Sequence, residues 1–223
     1  MCGGFFATFM VEFPKIFYSG ADMKAHSRSG IGLVLAVAVL GVVIAFLGSF
    51  ATQAAAVEPV KQRTLIVYYS WSGNTKAAAT QIHEKIGGDI VELKLVYPYP
   101  TTFEACVAEF KEERKSGVRR EVKTQLPDMN QYDVVFLGYP NWAATMPGHV
   151  AMVLERYDFS GKTIVPFCSH GGTSAGHSVE DIAKLAPKAA LATPLVILRD
   201  GGETLSRDID AWLLQNGFAS RQR

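Results

Sequence analysis

Apolar positions in this chain come in two kinds of run that alternate along it: short continuous stretches, and stretches spaced by three and four. Thr64 to Tyr69 (TLIVYY) is continuous, β-branched and aromatic, which predicts a strand buried on both faces. Ala79, Ile82 and Ile86 then recur at helical spacing, and Gly87-Gly88 predicts the end of that helix. Asp89 to Val96 alternates apolar and polar, as a strand at a sheet edge does. Past Pro98 and Pro100, Phe103, Cys106, Val107 and Phe110 mark the core-facing stripe of an amphipathic helix. Its outer face is Glu109, Lys111, Glu112, Glu113, Arg114 and Lys115. Val118 to Gln131 is polar and irregular and reads as a solvated loop. Buried strands follow at Asp133 to Tyr139, Thr163 to Cys168 and Pro194 to Leu198. Between and after them stand helical stripes at Val150, Val153, Leu154 and Tyr157; at Val179, Ile182, Ala183 and Ala186; and at Leu205, Ile209, Trp212 and Leu213. Five strands alternating with five helices predict an α/β protein of three layers, a five-stranded parallel sheet with helices on both faces.

The loops after the first, third and fourth strands carry the distinctive chemistry: Ser70 to Thr75, Tyr139 to Met146 and Ser169 to Ser178. A ligand of an open α/β sheet sits beyond the carboxyl ends of the strands where strand order reverses. In a sheet of order 2-1-3-4-5 these three ends are neighbours, so the loops form one site. Ser70-Trp-Ser-Gly-Asn-Thr75 puts three hydroxyls, an amide and a glycine between a buried strand and a helix start. The unpaired N–H groups and dipole of that helix favour an anion there, so the stretch reads as a phosphate loop rather than as an ordinary helix cap.

Upstream, Ile31 to Phe50 is uncharged, with Lys24, His26 and Arg28 before it and Ala54-Ala55-Ala56 after it. Basic, apolar, small is the order of a secretory signal cut after Ala56, and the apolar run is also long enough for an uncleaved signal-anchor. The expected organisation is therefore an extension over 1–22 with translation starting at Met23, a leader over 23–56, and a folded domain over 57–223. The domain would be exported to the periplasm or anchored on the outer side of the inner membrane. A net charge of +1 gives no electrostatic reason for a nucleic-acid partner. Three dispersed cysteines, with no C-x-x-C, exclude a disulfide scaffold and a cysteine metal site.

Ser70-Trp-Ser-Gly-Asn-Thr75, Gly138-Tyr-Pro-Asn-Trp142 and Phe167-Cys-Ser-His-Gly-Gly172 together make the chain resemble the flavodoxin family, in its bacterial FMN-binding branch, from about Thr64 to Phe218. The resemblance implies non-covalent FMN. Ser70, Ser72, Asn74 and Thr75 would hold its phosphate, with Gly73 allowing close approach and Trp71 in the same loop. Pro140, Asn141, Trp142, Ala143 and Ala144 would line the isoalloxazine, Trp142 as the stacking ring. Ser169, His170, Gly171 and Gly172 would meet its pyrimidine edge. The implied function is electron transfer, as a carrier or as a flavin reductase acting on quinones, with donor and acceptor unidentified.

Departures from the family pattern bear on that function. No aromatic stands in Thr173 to Ser178, and from Val57 on the chain has 19 basic and 19 acidic residues, whereas carrier flavodoxins are strongly acidic. Ala143-Ala144 stands where the family often has a glycine that turns on reduction, so a left-handed turn confined to the one-electron form would cost about 1–2 kcal/mol and favour two-electron chemistry. Two rivals remain: a binding module that has lost the cofactor, and a serine hydrolase built on Gly172-Thr-Ser174-Ala-Gly176. The second lacks a histidine after Asp200 to complete a triad.

Overall fold

A computed structural model describes residues 62–218. Strand β1 (Thr64–Tyr68) runs through the middle of a parallel sheet, with β2 (Asp89–Glu92) on one side and β3 (Val134–Pro140) on the other. Next to β3 lies β4 (Thr163–His170), and the last position is filled by two short strands, β5 (Ala190–Leu191) and β6 (Leu195–Leu198), which pair with successive parts of β4. The order is 2-1-3-4-5, with the fifth strand broken in two. The break falls at Pro194, which has no N–H to give to the ladder.

Because side chains alternate across a strand, each strand feeds two cores. Leu65, Val67, Val135, Leu137 and Ile164 face one layer of helices: α2 (Phe103–Ser116), α3 (Gly148–Arg156) and α4 (Ser178–Leu185). Ile66, Val134, Phe136, Val165 and Phe167 face the other, made by α1 (Asn74–Ile86) and α5 (Leu205–Gln215), where Ile82, Ile209, Trp212 and Leu213 meet them. Gly138 is needed in β3 because a Cβ there would fall 2.2 Å from the Phe167 ring. The structure thus has the α/β architecture and strand order read from the sequence.

Two expected elements differ. The second strand stops at Glu92 instead of Val96, and Leu95 forms an antiparallel bridge with Val122. The segment from Val118 to Gln131 is therefore not merely solvated: Val122, Leu126 and Met129 are buried, and Lys123 N–H donates to the Lys94 carbonyl at 2.7 Å. Val122, Leu126 and Met129 fall at i, i+4 and i+7, yet the segment forms a bridge and an irregular loop instead of an α-helix, so its period alone could not show how it packs.

Among the described residues no helix is long and apolar enough to cross a membrane. That finding corrects the expectation of a membrane-anchored domain, since the described residues hold no helix that could anchor it. The 1–22 extension, the 23–56 leader with its cut after Ala56, and the start at Met23 lie outside the described residues.

Candidate functional site

At the carboxyl ends of β1, β3 and β4 a cleft of about 670 Å³ opens, in the size range of cofactor pockets. Of the residues expected in the site, Trp71, Ser72, Asn74, Pro140, Asn141, Trp142, Ala143, Ser169, His170 and Gly171 line it. Ser70, Gly73, Thr75, Ala144 and Gly172 stand beside these in the same loops but are not part of its wall.

The loop after β1 is a bare helix terminus. Gly73 precedes α1 at φ 96°, and no side chain caps the helix, so the first-turn N–H groups have no capping oxygen. An ordinary cap would have filled that role; here the donors are left for an anion. Ser70 Oγ accepts the Gly73 N–H at 3.1 Å and so shapes the loop. Thr75 is buried, and its Oγ1 shares a 2.8 Å hydrogen bond with Ser169 Oγ, tying the loop to the end of β4. Trp71 Nε1–H donates to the Pro100 carbonyl at 2.8 Å and fixes the loop to the chain entering α2.

The loop after β3 places Trp142. Its ring is half-buried and meets Tyr99, Phe110 and Tyr69 edge-on, with centroids at 5.1, 5.2 and 6.1 Å. Tyr99 is itself held from beneath: the Arg120 guanidinium lies 3.8 Å from its ring centroid and pairs with Glu113 and Glu109. Behind them His149, 1% exposed, has no hydrogen-bond partner on either ring nitrogen, and burial, helped by Arg120, pushes its pKa down to about 3. It stays neutral and acts as an aromatic packing surface for Tyr69, 4.2 Å away.

Ala143 and Ala144 complete a tight turn. Trp142 and Thr145 exchange backbone hydrogen bonds of 2.8 and 3.3 Å across it, and the two alanines have φ of 50° and 67°. Both already occupy the left-handed region, so its cost is not reserved for a reduced cofactor, as the sequence argument for two-electron chemistry required. The turn is also clamped: the Ala144 carbonyl accepts the His177 N–H at 2.8 Å, and the Ala143 carbonyl accepts from Arg114 Nη1 at 3.2 Å.

The loop after β4 explains the Gly172-Thr-Ser174-Ala-Gly176 pattern without a nucleophile. His170 Nδ1 accepts the N–H groups of Gly172 and Ser174 at 3.0 and 3.1 Å, which leaves the ring proton on Nε2. His177 Nδ1–H donates to Asp181 at 2.6 Å. Among the described residues no histidine bonds the Ser174 hydroxyl, so the hydrolase arrangement is not assembled. Gly176 is required instead by contact, since a Cβ there would sit 2.1 Å from the Ala144 carbonyl oxygen.

One wall was missed. Phe103, Cys106, Val107 and Phe110, expected to face the core, line the cleft, and Phe103 remains 65% exposed; Lys111 and Arg114, expected on the outer face, line it too. Arg199 after β6 and Thr173 join them. The spacing gave the stripe correctly, but not what the stripe would cover.

The residues present fit FMN. An uncapped helix terminus can meet a phosphate, and a planar ring finds an apolar face in Trp142. Asn141 offers a buried Oδ1 with no partner, its Nδ2 being used on the Ser174 carbonyl, and so can accept from a pyrimidine N–H.

Loops of this chemistry on a 2-1-3-4-5 parallel sheet define a doubly wound α/β protein with a mononucleotide site at its switch point. The chain belongs to the flavodoxin family, whose family model matches residues 63–215. FMN binding and electron transfer are consistent with that membership. Among solved structures, a protein called a flavoprotein from Bacteroides eggerthii is 28% identical, with a TM-score of 0.61 over 70% of this chain and 98% of its own. A Bacteroides uniformis protein, also called a flavoprotein, is 24% identical, with a TM-score of 0.59 over 67% and 98% of the two chains. A Lactobacillus acidophilus flavoprotein solved in complex with FMN is 22% identical, with a TM-score of 0.54 over 68% and 98%; at that identity the likeness concerns the fold. No curated protein gives a significant match.

Proposed function

We propose that this protein holds FMN without a covalent bond and works as a small flavin reductase, passing electron pairs to quinone-type acceptors. The observation that carries the reading is the α2 wall. An electron carrier needs an exposed flavin edge, whereas here Phe103, Val107 and Phe110 extend the cleft sideways as an apolar surface on which a second planar molecule can lie. FMN supplies the redox chemistry when bound. Ser70, Ser72, Asn74 and Thr75 bind the phosphate through hydroxyl, amide and backbone donors, and Gly73 admits it closely. Trp142 stacks on the ring system from a position fixed by Tyr69, Tyr99 and Phe110. Asn141, Ser169, His170 and Gly171 orient the pyrimidine edge, while Pro140 and the clamped Ala143-Ala144 turn wall off water.

Two measurements test this. The purified protein should be yellow and release FMN on heating; a colourless protein that takes up no FMN would mean a binding module that kept only the fold. The photoreduced protein, mixed rapidly with a neutral naphthoquinone, should reoxidise faster than with a one-electron haem protein acceptor. The reverse order would make it a carrier.

A further inference from the structure

Every charged side chain lining the cleft is basic: Lys111 and Arg114, one turn apart on α2, and Arg199 just past β6. In a domain otherwise laced with ion pairs, these three cations line one opening with no partner carboxylate among the described residues.

Their positions also separate them from the FMN phosphate. That phosphate belongs at the head of α1, after β1, where backbone N–H groups stand uncapped. Arg199 follows β6, three strands across the sheet from β1 by way of β3 and β4, which at about 4.8 Å per strand is roughly 14 Å of backbone separation. Arg114 is tied by its Nη1 to the Ala143 carbonyl, in the loop after β3 rather than the loop after β1. Arg199 is held in place from its own backbone, its N–H donating to the His170 carbonyl at 2.8 Å while its φ is 55°. A non-glycine residue in that conformation is sparsely populated and is met mostly at functional sites.

The same cleft is lined by Phe103, Val107 and Phe110, the apolar wall. We infer that the cleft takes, beside the cofactor, a planar aromatic ligand that carries an acidic group: the ring lies on the apolar wall of α2, and the carboxylate, sulfonate or phosphate is met by Lys111, Arg114 and Arg199. The inference rests on the proposed function only for which part of the cleft FMN leaves free. Two sources share this chemistry, an acidic aromatic acceptor and a nucleotide electron donor with its diphosphate.

Calorimetric titration of the holoprotein with naphthalene-2-sulfonate, which cannot be reduced, and with uncharged 2-naphthol tests the inference without turnover. The sulfonate should bind more tightly, with an advantage that shrinks as salt rises. Because these cations are exposed, Lys111→Gln and Arg199→Gln should each weaken it roughly three- to fivefold while leaving 2-naphthol unchanged. ADP-ribose serves as a second anionic probe. A loss confined to it assigns the cations to a nucleotide donor, and a loss confined to the sulfonate assigns them to an acidic acceptor. Equal binding of sulfonate and naphthol overturns the inference. So does a set of variants that weaken FMN binding to the apoprotein and leave the probes alone, since the cations would then serve the phosphate. Should the protein prove colourless, the FMN reading fails while the same titrations still decide whether the cleft prefers anions.

Discussion

Gly176→Ala should unlock the two loops that frame the cleft. In the left-handed conformation of Gly176, φ 57°, an added Cβ would lie 2.1 Å from the Ala144 carbonyl oxygen, 2.5 Å from its carbon and 2.6 Å from its Cα. All three are backbone atoms, so no rotamer change relieves the contact, and the Trp142–Thr145 turn or the loop after β4 must move by about 1 Å or more. An L-residue at this φ costs about 1–2 kcal/mol, overpacking adds about 1–3, and the His177 N–H bond to the Ala144 carbonyl, worth about 1, is lost. The sum is about 3–6 kcal/mol, a large share of the roughly 5–15 that holds a domain folded.

The control is Gly161→Ala. Gly161 also has a left-handed φ, 72°, but a Cβ there meets nothing within 4 Å, so only the conformational cost of about 1–2 kcal/mol remains. Urea unfolding of both variants, with unchanged slope, gives the difference as the cost of the collision. Gly176→Ala should also bind FMN more weakly, since Ala143 and Thr173 on the two displaced loops line the cleft, whereas Gly161→Ala should bind it normally. Equal destabilisation in the two variants, or unchanged FMN affinity in Gly176→Ala, would refute the argument that backbone contact at Gly176 holds the site together.

Thr75→Ala leaves the buried Ser169 hydroxyl without its partner and should cost about 1–3 kcal/mol of stability and roughly tenfold in FMN affinity; unchanged affinity on titrating the apoprotein would place the phosphate elsewhere. Ala144→Gly removes a left-handed alanine at the price of greater freedom in the unfolded chain, a net gain of about 0.5–1 kcal/mol by urea unfolding. Because the turn is left-handed already, the one-electron share on photoreduction should stay as in the wild type. His149 has a folded-state pKa near 3, below its unfolded value near 6.5, so the unfolded chain binds the extra proton in between. Stability from this residue is therefore complete above about pH 6.5 and falls by up to roughly 1.4 kcal/mol per pH unit towards pH 3, a slope that His149→Phe should flatten in unfolding measured from pH 7 to 4.

What the sequence could and could not show divides along physical lines. Strands buried on both faces write themselves as unbroken apolar runs, and Thr64–Tyr68 and Val134–Pro140 are legible for that reason. The glycine that ends α1 and the polar turn that begins it are local decisions of the backbone, legible too. A helical stripe, by contrast, tells which residues share a face and nothing about what lies opposite. Phe103, Cys106, Val107 and Phe110 have the same spacing as Val150, Val153, Leu154 and Tyr157, yet the first set lines a cleft and the second packs into a core.

The same limit governs the loops. Gly176 stands in a G-x-S-x-G string that a catalytic serine would also require, and the approach of the Ala144 carbonyl gives that glycine a packing reason instead. Ala143 and Ala144 carry no residue-type signal for a left-handed turn; the Trp142–Thr145 hydrogen bonds and the clamp from His177 impose it from outside the dipeptide. Tertiary contact thus does in this site what glycine does elsewhere, and it does so before any cofactor enters. A turn held from three directions, by Arg114, His177 and Gly176, is a preformed wall rather than a hinge. Selectivity must then arise from what the fixed cleft admits, which places the burden on the side chains of α2 and on the cations at its rim.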